Sequence, residues 1–589
     1  MRAARISCAA VSYSIAVILI FCSALVFAQT DSGTVSGRVL DPTGRSVPGA
    51  RVRLIDIDRG IAEESATNNA GLYTFRAVHP GRYRMEVEAK GFRLVNITGL
   101  TVNTQANLEQ NFSLSIGSVS ESVTVEAKAN DVSTSVSTVV DRQFVENLPL
   151  NGRSFQSLIE LTPGVVVTPT SERDSGQFSV NGQRSSTNYF MVDGVSANIG
   201  ASSDLLSTQT TAGAIPGFSV LGGTNNLVSV DAVQEFRIQT SSYAPEFGRT
   251  PGAQVSIETR SGTNQFHGTV FDYIRNDVLD ASDWFNGTSN PPLKKSEERQ
   301  NDFGGVLGGP IFRNKTFFFF SYEGQVLRLP RTALSEVPSL AVRQDPNTPA
   351  AILPLLDAFP LPNQPATAAE VAAQLAPFNA SFSDRSTLNA TSLRIDHQVS
   401  SRLSLFGRFN YSPSELVSRG DGISEPLNQL TRFAVTTETS TLGAMWSPSA
   451  SFSNDVRFNY SGNHSRGLDS LDTFGGAIVP SNAFMIPDSF SGASSVSSAM
   501  GLGLSSIRIG PRTDSRQRQV NVVESAVWQR GTHSLKFGAD YRRLFPTVVP
   551  FGQDNLNTDF ANVASAVLLQ PLVVLVTRDT PVNITFQNL

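Results

Sequence analysis

Residues 178–198 read FSVNGQRSSTNYFMVDGVSAN, two short apolar runs separated by a polar segment that carries glycine. A catalytic loop, a ligand pocket and a structural piece of something larger are the three readings to separate. Asp193-Gly194 stands between YFMV and VSA as a two-residue turn signal. A type I′ turn needs positive φ, and glycine takes it without steric cost. Asn181-Gly182 reads as a similar tight turn. The stretch therefore predicts small paired strands in a compact unit whose polar surface can rest against a hydrated wall. No histidine or second carboxylate lies close in sequence to act with Asp193, so no catalytic residue is assigned.

Working outward, the amino terminus reads as an export signal. Arg2 and Arg5 precede the apolar run SIAVILIFCSALVF, which ends in Val26-Phe27-Ala28 before Gln29. The run is shorter than the roughly 20 residues that span a bilayer, which favours a signal over an anchor. Both cysteines, Cys8 and Cys22, fall inside it, so a disulfide scaffold and cysteine-based metal sites are excluded from the rest. No later run is long and apolar enough for a transmembrane helix. A formal net charge of −5 with scattered Lys and Arg lacks the footprint of a nucleic-acid surface. The periplasm, the exterior and an outer-membrane barrel remain as destinations.

Residues 33–116 alternate strand-like runs with turns such as Asp41-Pro42-Thr43-Gly44 and His79-Pro80-Gly81. Tyr83, Met85, Val87 and Ala89 fall on one face, and Arg82, Arg84, Glu86 and Glu88 on the other. Short strands at this spacing predict an antiparallel β-sandwich over 29–116. The runs SGRVLDPTGRSVPGARVRL and TNNAGLYTFRAVHPGRYRMEVEAKGF resemble the carboxypeptidase-regulatory-like domain, a transthyretin-like sandwich that implies no peptidase activity. Asp56, Asp58 and Gly60 lack the later ligands of a calcium loop and read as an exposed loop. Residues 117–141 read as a linker. Within it Ser122, Val123, Thr124, Val125, Glu126 and Ala127 form a short strand without an evident partner. It is suited either to pair with the sheet edge of another protein or to close the sandwich.

From 142 to 262 a helical patch at 154–161 mixes with brief strands, and 201–226 is polar and low in order. Beyond 264 strict alternation takes over. Leu403, Leu405, Phe409 and Tyr411 oppose Ser404, Arg408 and Asn410; Val456, Phe458 and Tyr460 oppose Arg457 and Asn459; Leu535, Phe537, Ala539 and Tyr541 oppose Ser534, Lys536, Asp540 and Arg542. Apolar residues outward and charged residues inward form the dyad pattern of a transmembrane β-barrel, with an extracellular sandwich or propeller as the alternative. LPLNGRSFQSLIELTPGV, the opening stretch, and VDAVQEFRIQTSSYAPEFGRTPGAQVSIETRSGTNQFHG follow one another in the order that resembles the plug domain of TonB-dependent outer-membrane transporters. DFGGVLGGPIFRNKTFFFFSYEG over 302–324 is similar to the first barrel strands of the Oar-like branch, and GTHSLKFGADYR over 531–542 is the best later match. Phe317 to Phe320 with Tyr322 put rings on both faces of one strand, for the membrane boundary outside and the plug inside.

The expected fold is mainly β: a signal at 1–28, a transthyretin-like sandwich at 29–116, a linker at 117–141, an α+β plug at 142–262 and part of an antiparallel outer-membrane barrel at 263–589. His79, His267, His397, His464 and His533 are widely separated and make no metal-ligand spacing. Gly304-Gly305 and Gly308-Gly309 precede no phosphate-loop lysine. Neither metal, cofactor nor nucleic acid is expected. The resemblance implies a plug-gated receptor and transporter in outer-membrane lipid for a large or scarce solute. It further implies a TonB-type energy-coupling protein that pulls on residues 122–127. A surface-exposed binding or adhesion protein for carbohydrate or protein is the alternative. One tension is length. A plugged transporter barrel has about 22 strands, each of roughly 9–11 residues. Only about ten good strands fit between 264 and 589, around irregular stretches such as 346–383. Phe586-Gln587-Asn588-Leu589 also lacks a terminal aromatic residue. The expectation is a truncated member whose wall stays open.

Overall fold

The computed structural model describes residues 32–577 apart from 119–121, 128, 133–135, 148–155, 168–177, 185–186, 201–215, 218, 221–223, 244–246, 249, 283, 289–291, 450, 487–495, 504, 532 and 550–553. The expected signal, the end of the chain and much of 201–226 lie outside the described residues.

The front unit is a sandwich of two five-stranded sheets. In one, Gly33–Leu40 pairs antiparallel with Leu72–Val78 and parallel with Asn107–Glu109 and Phe112–Ser113. In the other the order is Ala62–Ala66, Arg51–Asp56, Gly81–Glu88, Leu94–Val102 and Ser122–Glu126. Tyr83, Met85, Val87 and Ala89 are buried as the alternation requires, packed with Val35, Val52 and Phe75. Two expectations change here. The stretch read as a linker is folded: Ser122–Glu126 lies parallel to Leu94–Val102, Asn130–Asp131 pairs with Asn107–Glu109, and Val136–Asp141 joins the sheet of the next unit. Its first two strands sit at sheet edges with every residue exposed; the first is the short strand read at 122–127, here closing the sandwich sheet, and the second is two residues, too short for a period to show. Asp56 is buried rather than exposed, because it accepts from the Asp58 and Arg59 N–H groups at 2.9 Å and from Arg59 Nε at 2.7 Å.

The second unit is a sheet ordered Val136–Asp141, Val233–Ser241, Gln254–Thr259, Tyr189–Val192 and Val195–Ser196, with short helices at Arg142–Asn147 and Gln156–Ile159. Its core gathers Ile159, Phe178, Phe190, Phe236 and Val255.

Around it stands a wall of nine antiparallel strands: His267–Asn276, Arg299–Phe312, Thr316–Pro338, Leu375–Ser400, Leu403–Arg419, Gln429–Ser449, Phe452–Leu471, Ser505–Arg530 and His533–Val549. Connections alternate between tight turns, such as residues 401–402, and long excursions, such as 339–374, as in outer-membrane barrels. Val456, Phe458 and Tyr460 are exposed while Arg457 and Asn459 are buried, and Leu405, Phe409 and Tyr411 stand outward opposite buried Arg408 and Asn410. This inverts a water-soluble sheet, where the apolar face is the buried one. The sandwich and propeller alternatives fall with it. Phe317 and Phe319 are buried and Phe320 is exposed, so the rings do occupy both faces. Among the described residues the wall is open, since His267–Asn276 and His533–Val549 each pair on one side only.

At the long-loop end the excursions pack into a cap around Val337, Leu355, Phe359, Phe378, Met485 and Phe560. The stretch read as irregular at 346–383 holds helices Leu353–Asp357 and Ala368–Ala372 and the start of Leu375–Ser400, which pairs back to Pro338.

Candidate functional site: the interface between plug and wall

The opening stretch builds the upper part of this interface. Asn181 and Gly182 take φ of 50° and 75°, and Asp193 and Gly194 take 48° and 72°, so both predicted tight turns form. The second closes the Tyr189–Val192 hairpin, with Val192 opposite Val195. Asn181 Nδ2 donates to Thr240 O at 3.0 Å, tying the first turn to the plug sheet.

Asp193 does more than turn the chain. Its side chain is 1% exposed, and its carboxylate accepts from Thr259 N at 2.9 Å and Thr259 Oγ1 at 2.8 Å. Arg394 reaches it from the inner face of the wall strand Leu375–Ser400, with Nη1 3.0 Å from Asp193 Oδ1 and 2.9 Å from Glu258 Oε1. The far side of the same guanidinium is held by Asp396 at 3.1 Å, and it lies 4.8 Å from the Phe406 ring centre. Arg408 Nε stands 3.7 Å from Asp193 Oδ2, while its Nη2 donates to Leu227 O at 2.7 Å. Two guanidinium groups from the wall thus meet Asp193 and Glu258 of the plug and Asp396 of the wall, all buried. In so dry a setting each charge depends on its partners, and removing one leaves the rest uncompensated.

The plug is held on other sides by neutral and charge-assisted hydrogen bonds. Ser196 N donates to Asn521 Oδ1 and Gln519 Nε2 donates to Ser196 O, each at 2.9 Å, and Arg542 donates to Asn198 O. Asn225 Nδ2 donates to buried Glu323 at 2.6 Å, and Asn410 Nδ2 donates to Asn226 O at 3.1 Å. Apolar contact completes the seal where Val306 and Phe319 of the wall join the plug core. Below, the sandwich meets the plug at Glu235, whose carboxyl burial pushes up to about 7 against the Thr104 hydrogen bonds and Arg237, which hold it down.

The candidate partner-binding residues belong to the sandwich and take no part in these contacts. Ser122–Glu126 is the terminal strand of a sandwich sheet, with Ala127 N donating to Thr98 O at 2.9 Å. Its inner edge is paired and its outer edge has no strand beside it among the described residues. Sequence reading passed over Arg394, Asp396, Glu258, Glu323 and Asn521. Only Leu393-Arg394-Ile395-Asp396, an alternation with charge on its inner positions, offered a signal. Among the described residues no group of three or more His, Cys, Asp and Glu is placed to hold a metal ion.

Three family descriptions match the chain: "Outer membrane beta barrel domain" over 258–572, "Carboxypeptidase regulatory-like domain" over 34–115 and "TonB-dependent Receptor Plug Domain" over 128–232. The TonB-dependent transporter Oar of Myxococcus xanthus is 29% identical over 331 residues, which cover 52% of this chain and 28% of that protein. Among solved structures, the outer membrane transporter YddB from Escherichia coli aligns with a TM-score of 0.46 at 12% identity, over 73% of this chain and 50% of that one. A ferric enterobactin receptor mutant, PfeA, from Pseudomonas aeruginosa aligns at 0.43 and 12%, over 70% and 50%. The chain spans less than a third of Oar and half of each of these solved chains.

Proposed function

The chain belongs to the outer membrane beta barrel domain family, and from that premise we propose that it is a plug-gated receptor for uptake of a large or scarce solute across the outer membrane. The observation that carries this reading is the buried ion cluster of Asp193, Glu258, Arg394, Asp396 and Arg408. A plug that was only a core would be sealed most cheaply by apolar packing, because buried ion pairs are weak sources of net stability. A charged seam instead holds firmly while every partner is present and weakens sharply when one is displaced. That is a property suited to a gate. No nucleotide-binding motif occurs in the sequence, so in this reading the energy comes from an inner-membrane coupling protein. In this reading residues 1–28 export the chain, 29–116 with the edge strands 122–126 and 130–131 form the sandwich, 142–262 the plug and 263 onward the wall. No catalytic residue takes part.

The coupling partner is proposed to add a strand to the free edge of Ser122–Glu126. Val123 and Val125 are exposed and stand outside the sandwich core, so the sandwich does not need them for packing. Pull-down with the coupling protein's periplasmic domain tests this. Ser122→Pro with Thr124→Pro, whose N–H groups alternate with the inward one of Ala127 and so face the free edge, removes two backbone donors and is expected to abolish capture while the sandwich stays folded. Unchanged capture removes the segment from the mechanism.

A further inference from the structure

The sandwich closes the underside of the plug from three directions. Its loop 103–106 enters the plug sheet: Thr104 is fully buried, its N–H donates to the Glu235 carboxylate, and Arg237 Nη1 donates to Thr104 O at 3.0 Å. Next to it Gln105 Nε2 donates to Ser256 Oγ at 2.8 Å and Gln239 Nε2 donates to Gln105 Oε1 at 2.6 Å. On one flank Thr74 Oγ1 donates to Gln529 Oε1 at 3.0 Å and Asn68 Nδ2 to Gly531 O at 3.4 Å, at the short-turn end of the wall. On the other flank Asn264 N, just before the first wall strand, donates to Asp58 O at 3.0 Å. There the turns at 56–60 and 79–81 rise until Asp58, His79 and Pro80 line one small cavity with Glu258, Thr259 and Arg394, directly beneath the ion cluster.

We infer that the sandwich is a second, lower gate: it must leave the short-turn rim before the plug can leave the wall, and loop 103–106 is the bolt between them. The steric basis is the three-sided contact. The chemical basis is the nature of the bolt, whose contacts to Glu235, Arg237, Gln239 and Ser256 are polar, with none of its residues in the apolar core of the plug. A polar contact of this kind separates without exposing apolar surface, which suits a joint that opens and recloses. The sandwich has its own core and needs no unfolding to undock. A cavity of about 950 Å³ between sandwich, plug and the strands Phe452–Leu471, Ser505–Arg530 and His533–Val549 gives it room to pivot on the Gln529 flank, where Ser453, Asp455, Ser525 and Lys536 line the wall side.

This goes beyond the uptake reading but rests on its premise that the plug moves. The test uses full-length chains in native membranes, with single reporter cysteines at Thr74→Cys for sandwich docking and Ser196→Cys for plug seating, and a membrane-impermeant maleimide as probe. Residues 23–589 contain no cysteine, so each reporter is alone there. In the otherwise unchanged chain, Thr74→Cys is expected to label at least as fast as Ser196→Cys. Gln105→Ala with Gln239→Ala, which removes side-chain bonds of the bolt, is expected to raise both rates about tenfold. Ser196→Cys labelling ahead of Thr74→Cys overturns the lower gate while leaving a moving plug intact. Ser196→Cys that stays unlabelled even when Thr74→Cys reacts fully overturns the premise as well.

Discussion

Replacing Arg394 by glutamine removes the guanidinium on which the plug seam converges. In the native chain two cations, Arg394 and Arg408, face three anions, Asp193, Glu258 and Asp396. Arg394→Gln leaves one against three, all buried. Removing one partner of a buried pair costs about 3–5 kcal/mol, and at about 1.4 kcal/mol per decade the plug-released population rises roughly 10²- to 4 × 10³-fold. Asp193→Asn removes a carboxylate instead and leaves two against two, with an oxygen still available to Thr259. Its cost is about 1–2 kcal/mol, or roughly tenfold. Native-state hydrogen exchange of the Tyr189–Val192 amides, which sit in the plug sheet, reads this release. Exchange in Gln429–Ser449 reports whether the wall itself stays paired. The expected order of protection is native, then Asp193→Asn, then Arg394→Gln, with the wall unchanged. The reasoning is refuted if Arg394→Gln alters plug exchange by less than about threefold, or if Asp193→Asn is the more damaging of the two.

Two further outcomes are expected. Glu235 rises from its ordinary 4.5 to about 7 in the docked sandwich, so docking takes up a proton: it is strongest below about 4.5 and is lost as pH climbs through about 7. His79, held well below its ordinary range by burial and by Arg59, Arg394 and Arg457, titrates in the opposite sense, so only the difference from Glu235→Gln isolates Glu235. Labelling of Thr74→Cys is expected to rise about 50- to 100-fold more between pH 5 and 8 in the native background than with Glu235→Gln, and an equal rise in both refutes the assignment. Separately, Gly37→Ala places a Cβ 1.8 Å from Gln110 O, backbone that cannot swing aside. The sandwich is expected to lose about 1–3 kcal/mol or more in a thermal melt while plug exchange in the undocked state is untouched; an unshifted melt contradicts the packing.

The parts of this fold legible in sequence are those governed by local rules. The Asn181-Gly182 and Asp193-Gly194 turns follow from backbone sterics alone, and both form. The inverted alternation around Phe409 and Phe458 is legible because lipid demands apolar side chains and pleating fixes their period. What stayed hidden depends on distance. Asp193 and Arg394 are separated by 201 residues, so nothing beside Asp193 announces its counter-charge. Ser122–Glu126 was legible as a strand but its partner was not, because backbone pairing is indifferent to side chains, and Asn130–Asp131 is too short to show any period. The cap escaped for a third reason. Its helices are four or five residues each, too short for a helical period to show.

The central claim is that the alternating strands face lipid outside and a seated plug inside. Nitroxides placed one at a time through Val456–Tyr460, in cells or native membranes, test it by their collision rates with dissolved oxygen and with a polar nickel reagent. The account predicts oxygen contact at 456, 458 and 460 and contact with neither reagent at 457 and 459, which the plug side shields. Free access of the nickel reagent to 456, 458 and 460 would contradict it.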